Sequence, residues 1–132
     1  MFSNEEVQYL RGQRLGRIAT ASHDGEPEVS PVAFEYDGKY FYVGSHDQSI
    51  FFKTRRYKNI KSGNNRISLV IDDLQSVDPW RPRGIKIGGT AEIVEHTGMF
   101  GEGSYLRITP HISVSWGIEP PKDGQWASKK RH

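Results

Sequence analysis

The chain has 132 residues, a formal net charge of +2 at pH 7 and no cysteine. This length fits one domain with a single core. The low charge argues against nucleic-acid binding, which needs a broad basic face, and the missing thiols exclude a disulfide framework or a thiolate zinc site. No stretch approaches the roughly 18 consecutive apolar residues of a membrane helix, and the N-terminus lacks signal-peptide features, so we expect a cytoplasmic protein without membrane contact.

The first part of the chain predicts a short helix and a three-stranded meander. Ser3 and Glu6 have the spacing of a capping box, which predicts a helix over residues 4–12. The segments "LGRIATAS", "EVSPVAFEY" and "KYFYVGS" have the composition of strands, and Asp-Gly pairs at 24–25 and 37–38 are hairpin signals between them.

Positive charge is concentrated in "FFKTRRYKNI", residues 51–60, which predicts a helix after the third strand. Arg55 and Lys58 are three positions apart, so both can meet one anion, and the planar fork of an arginine matches phosphate. A helix N-terminus adds partial positive charge. The residues alone leave two interpretations open: an anion site, or a solvated helix face that pairs with acids such as Asp47.

The second part of the chain predicts three longer strands, "RISLVIDD", "RGIKIGGTAEIVE" and "YLRITPHISVSWGI". The pair 88–89, Gly-Gly, predicts a bulge or a close backbone approach, and Pro110 predicts an edge or a bend. The segment "HTGMFGEGS" is expected to be a loop or a short helix, and residues 119–132 a mobile tail. One face of the last strand is predicted to carry the apolar residues Leu106, Ile108, Ile112, Val114, Trp116 and Ile118.

These elements predict a mainly β fold of about six antiparallel strands with a helix inserted between the third and the fourth. Closure into a barrel, complete or partial, is the economical arrangement because it removes open edges. The sequence contains no nucleophile motif and no P-loop, so an enzyme of this type would depend on a cofactor for its chemistry.

Metal ligation is not predicted, because neither the aspartates at 72, 73 and 78 nor the histidines have the spacing of a metal site. His46 follows a strand close to the cations and is the candidate proton donor. Trp80 lies beside two arginines, Arg81 and Arg83, and is expected either to stack on a flat ring or to cap the core. Trp116 is expected in the core or at the edge of a cleft.

Several segments together resemble the pyridoxamine 5′-phosphate oxidase-like superfamily: "RLGRIATASHDGEPEVSPVAFEYDGKYFYVGS", "TRRYKNI", "RISLVIDD", "DPWRPRGIKIGGTAEIV" and "RITPHISVSWGI". The likeness covers about residues 5 to 118. The pieces "VDPWRPRG" and "SWG" are similar to the branch of small proteins described as deazaflavin (coenzyme F420)-dependent oxidoreductases.

The resemblance implies a split β-barrel over residues 1–118 that works as a homodimer, with FMN or F420 in a cleft between the subunits. In the oxidases a Ser-Arg-Lys triplet holds the FMN phosphate, and residues 54–56, Thr-Arg-Arg, match it here; Lys58 is an additional cation. The oxidases also carry an Arg and a Lys that contact FMN where Ser30 and Glu35 stand in this chain. This departure favours F420 over FMN.

The expected function is therefore that of an oxidoreductase in which reduced F420 delivers a hydride to an electron-poor double bond of a small organic substrate. The alternatives are an FMN-dependent oxidoreductase and a non-catalytic protein that binds a flavin, deazaflavin or tetrapyrrole. The expected cofactor-binding residues are Ser30, Pro31, Val32, Ser45, His46, Thr54, Arg55, Arg56, Lys58, Trp80, Arg83 and Trp116.

Overall fold

A computed structural model describes residues 1–120 and 129–132 of the chain. The described helices are α1 Asn4–Gly12, α2 Gln48–Phe51 and α3 Arg55–Lys61. The described strands are β1 Leu15–Ala21, β2 Pro27–Ala33, β3 Glu35–Tyr36, β4 Phe41–Val43, β5 Arg66–Ser76, β6 Arg81–Gly98, β7 Gly101–Trp116 and β8 Lys129–Arg131. The predicted mainly β fold with short helices is confirmed.

The described strands form one antiparallel sheet, and the two outermost strands of its order, β2 and β3, are consecutive in the chain. The strand order is β2-β1-β5-β6-β7-β4-β3, and β8 pairs with β7. The predicted strand "EVSPVAFEY" is two strands, β2 and β3, which lie at opposite ends of this order although only Phe34 separates them. The two ends of the sheet must therefore approach each other at Phe34, which is 5% exposed. This closes the sheet into a barrel.

The barrel contains an apolar core, and α1 covers part of it. The predicted capping box is confirmed: the Ser3 N–H donates to Glu6 Oε1 at 2.9 Å, and the Glu6 N–H donates to Ser3 Oγ at 3.2 Å. The buried core residues are Tyr9, Leu10, Ile18, Val32, Phe34, Phe41, Val43, Phe51, Ile60, Ile67, Leu69, Ile71, Ile85, Ile87, Ala91, Leu106 and Ile108.

The expected loop or short helix in "HTGMFGEGS" is wrong, because these residues form the turn end of the β6–β7 hairpin. The ladder continues to the pair Gly98↔Gly101, so only residues 99–100 connect the strands. Gly101 has φ 84°, a left-handed conformation that glycine adopts without the steric cost of a side chain.

The bulge predicted at Gly88-Gly89 is confirmed, and it changes which face of β7 is buried. Gly88 pairs with Ile112 and Gly89 with Pro110, so β7 has one extra residue at this point. Beyond it the alternation shifts by one, and Ser113 and Ser115 become the buried residues. The prediction of one apolar face through Ile112, Val114 and Trp116 is therefore wrong, since those side chains are only partly buried.

The predicted mobile tail is wrong for its last residues, which form β8. This strand pairs with β7 over residues 113–115. Arg131 also donates to Glu6 Oε1 at 2.7 Å, which fixes the strand against α1, and to Glu119 Oε1 at 2.6 Å, just after β7. The middle of the predicted tail, residues 121–128, lies outside the described residues.

Over residues 1–120 and 129–132, the helices are too short or too polar to cross a membrane. The same residues include no group of three or more His, Asp or Glu side chains arranged to hold a metal ion.

Candidate anion-binding site

The N-cap of α3 is Thr54, which fixes where the helix and its arginines begin. The Thr54 hydroxyl accepts from the Tyr57 N–H at 3.3 Å and donates to the Phe51 carbonyl at 2.8 Å. These bonds satisfy an otherwise free helix N–H and tie α3 to the end of α2. In this structure Thr54 therefore positions the residues that follow it.

A second bond fixes α3 to the sheet. The Asn59 side-chain amide donates to Thr20 Oγ1 at 2.9 Å, and both side chains are buried. Thr20 belongs to β1, which pairs with β2. The bond therefore fixes the position of α3 next to these two strands. The sequence analysis did not identify Asn59; an amide inside an otherwise charged helix was the available signal.

Arg56 is the centre of the candidate site, and it contacts two other residues that were predicted to bind the cofactor, Ser30 and Ser45. Its guanidinium donates to Ser30 Oγ on β2 at 3.3 Å and to Ser45 Oγ, just after β4, at 3.4 Å. Its Nε is buried and has no hydrogen-bond partner. Burial lowers the pKa of Arg56, and the negative charge of Glu28 acts in the opposite direction.

Glu28 belongs to this site, although the sequence analysis did not select it. It precedes Ser30 by two positions on β2, so both side chains face the same side of the strand. Glu28 Oε2 is buried and has no hydrogen-bond partner. The alternation along β2 was the signal that could have identified it.

Arg55 lies beside this cluster but is exposed. It borders a cavity of about 330 Å³, whose lining residues are Ser22, Glu26, Pro27, Glu28 and Arg55. Lys58 is exposed on the same helix. The predicted cations therefore differ: Arg56 is partly withdrawn from water, whereas Arg55 and Lys58 face solvent.

The arrangement around Arg56 is suited to an anion. A guanidinium that has left water needs strong acceptors, and two neutral hydroxyl oxygens at the long end of hydrogen-bond distance satisfy it weakly. An anionic oxygen would satisfy the buried Nε and form a charge-assisted bond. Because Ser30 and Ser45 accept from Arg56, their own hydroxyl hydrogens remain able to donate to the same anion.

Two of the predicted residues next to Ser30 contribute differently. Val32 is 4% exposed and packs in the core, so only its backbone is available to a ligand. Pro31 points to the opposite side of β2 and is exposed. His46 is exposed and lies next to Asp47, the N-cap of α2. Hydrogen bonds from Ser49 are the main cause that lowers the pKa of Asp47, and His46 adds a smaller electrostatic effect in the same direction.

Two predicted residues, Trp80 and Arg83, lie at and near the tip of the β5–β6 hairpin, and a third, Trp116, ends the neighbouring strand β7. Trp80 is 68% exposed. Arg83 donates to both oxygens of Asp73, at 2.7 and 3.0 Å, and the Tyr9 hydroxyl also donates to Asp73, so the charge of Arg83 is already paired. Trp116 is half-buried and covers Gly84, where a Cβ would lie 2.6 Å from the indole Cζ2.

Comparison with known proteins gives a family and a set of similar folds. The model of the family described as pyridoxamine 5′-phosphate oxidase matches residues 2–115. A curated relative, the 5a,11a-dehydrotetracycline/5a,11a-dehydrooxytetracycline reductase of Streptomyces rimosus, is 34% identical over 122 residues, which cover 89% of this chain and 84% of the reductase.

Solved structures with the same fold have different functions in their names. An F420 reductase has a TM-score of 0.64 at 21% identity and covers 86% of this chain and 98% of its own. The heme storage protein HutZ from Vibrio cholerae has a TM-score of 0.61 at 15% identity, with coverage of 84% and 92%. A pyridoxamine 5′-phosphate oxidase-type protein of Lactobacillus delbrueckii has a TM-score of 0.63 at 20% identity, with coverage of 85% and 92%. At these identities the likeness establishes the split-barrel fold and confirms that prediction.

Proposed function

Because the chain belongs to the pyridoxamine 5′-phosphate oxidase family, an oxidoreductase-type family, we propose that it is a reductase that binds a phosphorylated flavin-type cofactor at Arg56. We propose further that this cofactor is F420. The curated relative at 34% identity is named as a reductase, which supports reduction as the direction of the reaction.

The observation that carries the proposal is the buried, unpartnered Nε of Arg56. Withdrawing a guanidinium from water is costly unless its charge and its N–H groups are both compensated. The charge of Glu28 opposes this cost, but it leaves Arg56 Nε without a hydrogen-bond partner. A phosphate matches the planar fork of arginine, and the hydroxyls of Ser30 and Ser45 would supply two more donors. Arg55 and Lys58 would add long-range attraction from the solvent side.

The choice of F420 over FMN is supported by the cations that this site lacks. Ser30 and Glu35 stand where the related oxidases carry an Arg and a Lys. Ser30 offers only a hydroxyl to Arg56, and Glu35 Oε1 accepts from the Met99 N–H at 2.8 Å in the β6–β7 turn. A site with fewer cations is better matched to the phosphodiester of F420 than to the phosphomonoester of FMN.

The cofactor, when bound, supplies the hydride, and the substrate is a small organic molecule with an electron-poor double bond. The chain's own residues hold and orient the cofactor: Arg56 with the two serine hydroxyls binds its phosphate, and Thr54 and Asn59 keep α3 in place.

The proposal is tested by titrating the purified protein with F420 and with FMN and following fluorescence. The variant Arg56→Met keeps a side chain of similar length but removes the charge-assisted bond to the anion, which contributes about 1.5–3 kcal/mol. We expect its affinity for the preferred cofactor to fall by about tenfold to 150-fold. The control Lys61→Met removes one charge from the exposed end of the same helix and should leave affinity within about twofold.

Equal affinity of Arg56→Met and the unaltered protein would contradict the site. Turnover of a panel of enones with reduced F420 separates a reductase from a protein that only binds the cofactor. Binding without turnover on any substrate would favour the second function.

We also propose that the protein is a homodimer. The outward face of the β1–β2 pair exposes apolar side chains: Leu15 is 59% exposed and Val29 is 65% exposed, with Pro31 beside them. Exposed apolar surface of this kind is typical of an interface between subunits. Light scattering on a sizing column should give about 30 kDa, twice the 15.0 kDa chain mass; a mass of one chain at micromolar concentration would contradict it.

A further inference from the structure

One charged group at Arg56 has no role in the proposed function: the carboxylate of Glu28. It faces the same side of β2 as Ser30, which accepts from the Arg56 guanidinium. Both Glu28 Oε2 and Arg56 Nε are buried and have no hydrogen-bond partner. The charge of Glu28 acts directly on Arg56, where it opposes the effect of burial and favours the charged guanidinium. A fixed negative charge therefore lies at the group that we assign to the cofactor phosphate.

We propose that Glu28 makes the Arg56 site selective for a singly charged phosphodiester over a doubly charged phosphomonoester. This inference rests on the proposed function, since it concerns the ligand of the same site. The energy of repulsion between Glu28 and a bound anion is proportional to the charge of that anion. A phosphomonoester carries about −1.5 to −2 near pH 7 and a phosphodiester carries about −1, so Glu28 disfavours the monoester about twice as strongly.

The composition of the neighbouring cavity supports the same selectivity. Glu26 and Glu28 line it together with Arg55, and Arg56 lies next to Glu28. The partly buried Glu28 and Arg56 have formal charges that cancel, whereas Glu26 and Arg55 are exposed and their charges are more strongly screened by water. A site of this balance can hold a monoanion through directed hydrogen bonds, but it lacks the excess positive charge that would compensate a dianion.

The test removes the charge of Glu28 and keeps its shape. We expect Glu28→Gln to bind FMN about tenfold more tightly than the unaltered protein and F420 about threefold more tightly. The second factor is the square root of the first, because the phosphate of F420 carries half the charge. The control Glu26→Gln removes the same charge from the exposed rim of the same cavity, and we expect its FMN to F420 affinity ratio to stay within about twofold of the original.

A second measurement needs no redox cofactor. The melting temperature is recorded at pH 8 with phenyl phosphate, a phosphomonoester, and with diphenyl phosphate, a phosphodiester. We expect the diester to stabilise the unaltered protein more than the monoester does, and Glu28→Gln to reverse or abolish this order.

The outcomes separate the two proposals. If both cofactors bind but Glu28→Gln leaves their affinity ratio unchanged, the selectivity role is overturned and the proposed function stands. If neither cofactor binds but the phosphate esters show the expected order, the proposed function is overturned and the role of Glu28 stands. Absence of both effects overturns both proposals.

Discussion

The ion pair between Arg131 and Glu6 predicts that the last four residues of the chain stabilise the fold. Glu6 is fully buried, and its Oε1 accepts from the Ser3 N–H at 2.9 Å and from Arg131 at 2.7 Å. Replacing the arginine by methionine leaves this buried carboxylate with one charge-assisted bond fewer. Such an unpaired buried charge costs about 3–5 kcal/mol when water is excluded.

The actual cost should be lower, because the Arg131 side chain is itself 31% exposed and water can partly replace it. A lost charge-assisted hydrogen bond contributes about 1.5–3 kcal/mol. We therefore expect Arg131→Met to lower the free energy of unfolding by about 2–3 kcal/mol, which is a large share of the about 5–15 kcal/mol typical of a domain.

Urea denaturation at pH 7 measures this change, and the slope against urea concentration should stay constant because the fold is retained. The matched control is Lys130→Met, which removes a charge from the adjacent, exposed position of β8. A loss below about 0.5 kcal/mol for Arg131→Met, or a loss equal to that of Lys130→Met, would refute the ion-pair argument. Cofactor affinity is expected to stay the same in both variants.

Two further predictions concern acid stability and a close contact. Burial alone would raise the pKa of Glu6, but hydrogen bonds from Ser115, Ser3 and Arg131 outweigh it and hold the pKa below its ordinary value of 4.5. The stabilisation from Glu6 should therefore be fully present above that value and be lost as pH falls through the folded-state pKa. Urea denaturation at a series of pH values between 3 and 7 would measure this loss. In Gly44→Ala, the added Cβ would lie 2.6 Å from the buried Tyr105 ring, so thermal melts should show a loss of about 1–3 kcal/mol, and an unchanged melting temperature would contradict it.

The parts of the fold that the sequence predicts are those with local signals. The helix α1 follows from its capping box, and β5 and the first half of β6 follow from apolar alternation. The strand β8 has no such signal. Its three residues are all cationic. They form a strand because they pair with a free edge of β7 and because Arg131 forms an ion pair with Glu6, 125 positions earlier in the chain.

The candidate site shows the same division between local and distant information. The resemblance points to residues 54–56, but the sequence does not distinguish the partly buried Arg56 from the exposed Arg55. That difference depends on how far α3 is inserted beside β2. The pairing of Arg83 with Asp73 depends likewise on the β5–β6 register, in which these residues are opposite each other.

The location of the site follows from closure of the barrel. Ser30 belongs to β2, at one end of the strand order, and Ser45 follows β4, which pairs with β3 at the other end. Arg56 bonds to both and therefore spans the line where the two ends of the sheet meet. Opening of the barrel along this line would separate the two serines and remove the site. Because a ligand that binds only the closed form stabilises that form, by about 2.7 kcal/mol at 100 times its Kd, an anion held by Arg56 would also hold the two ends of the sheet together.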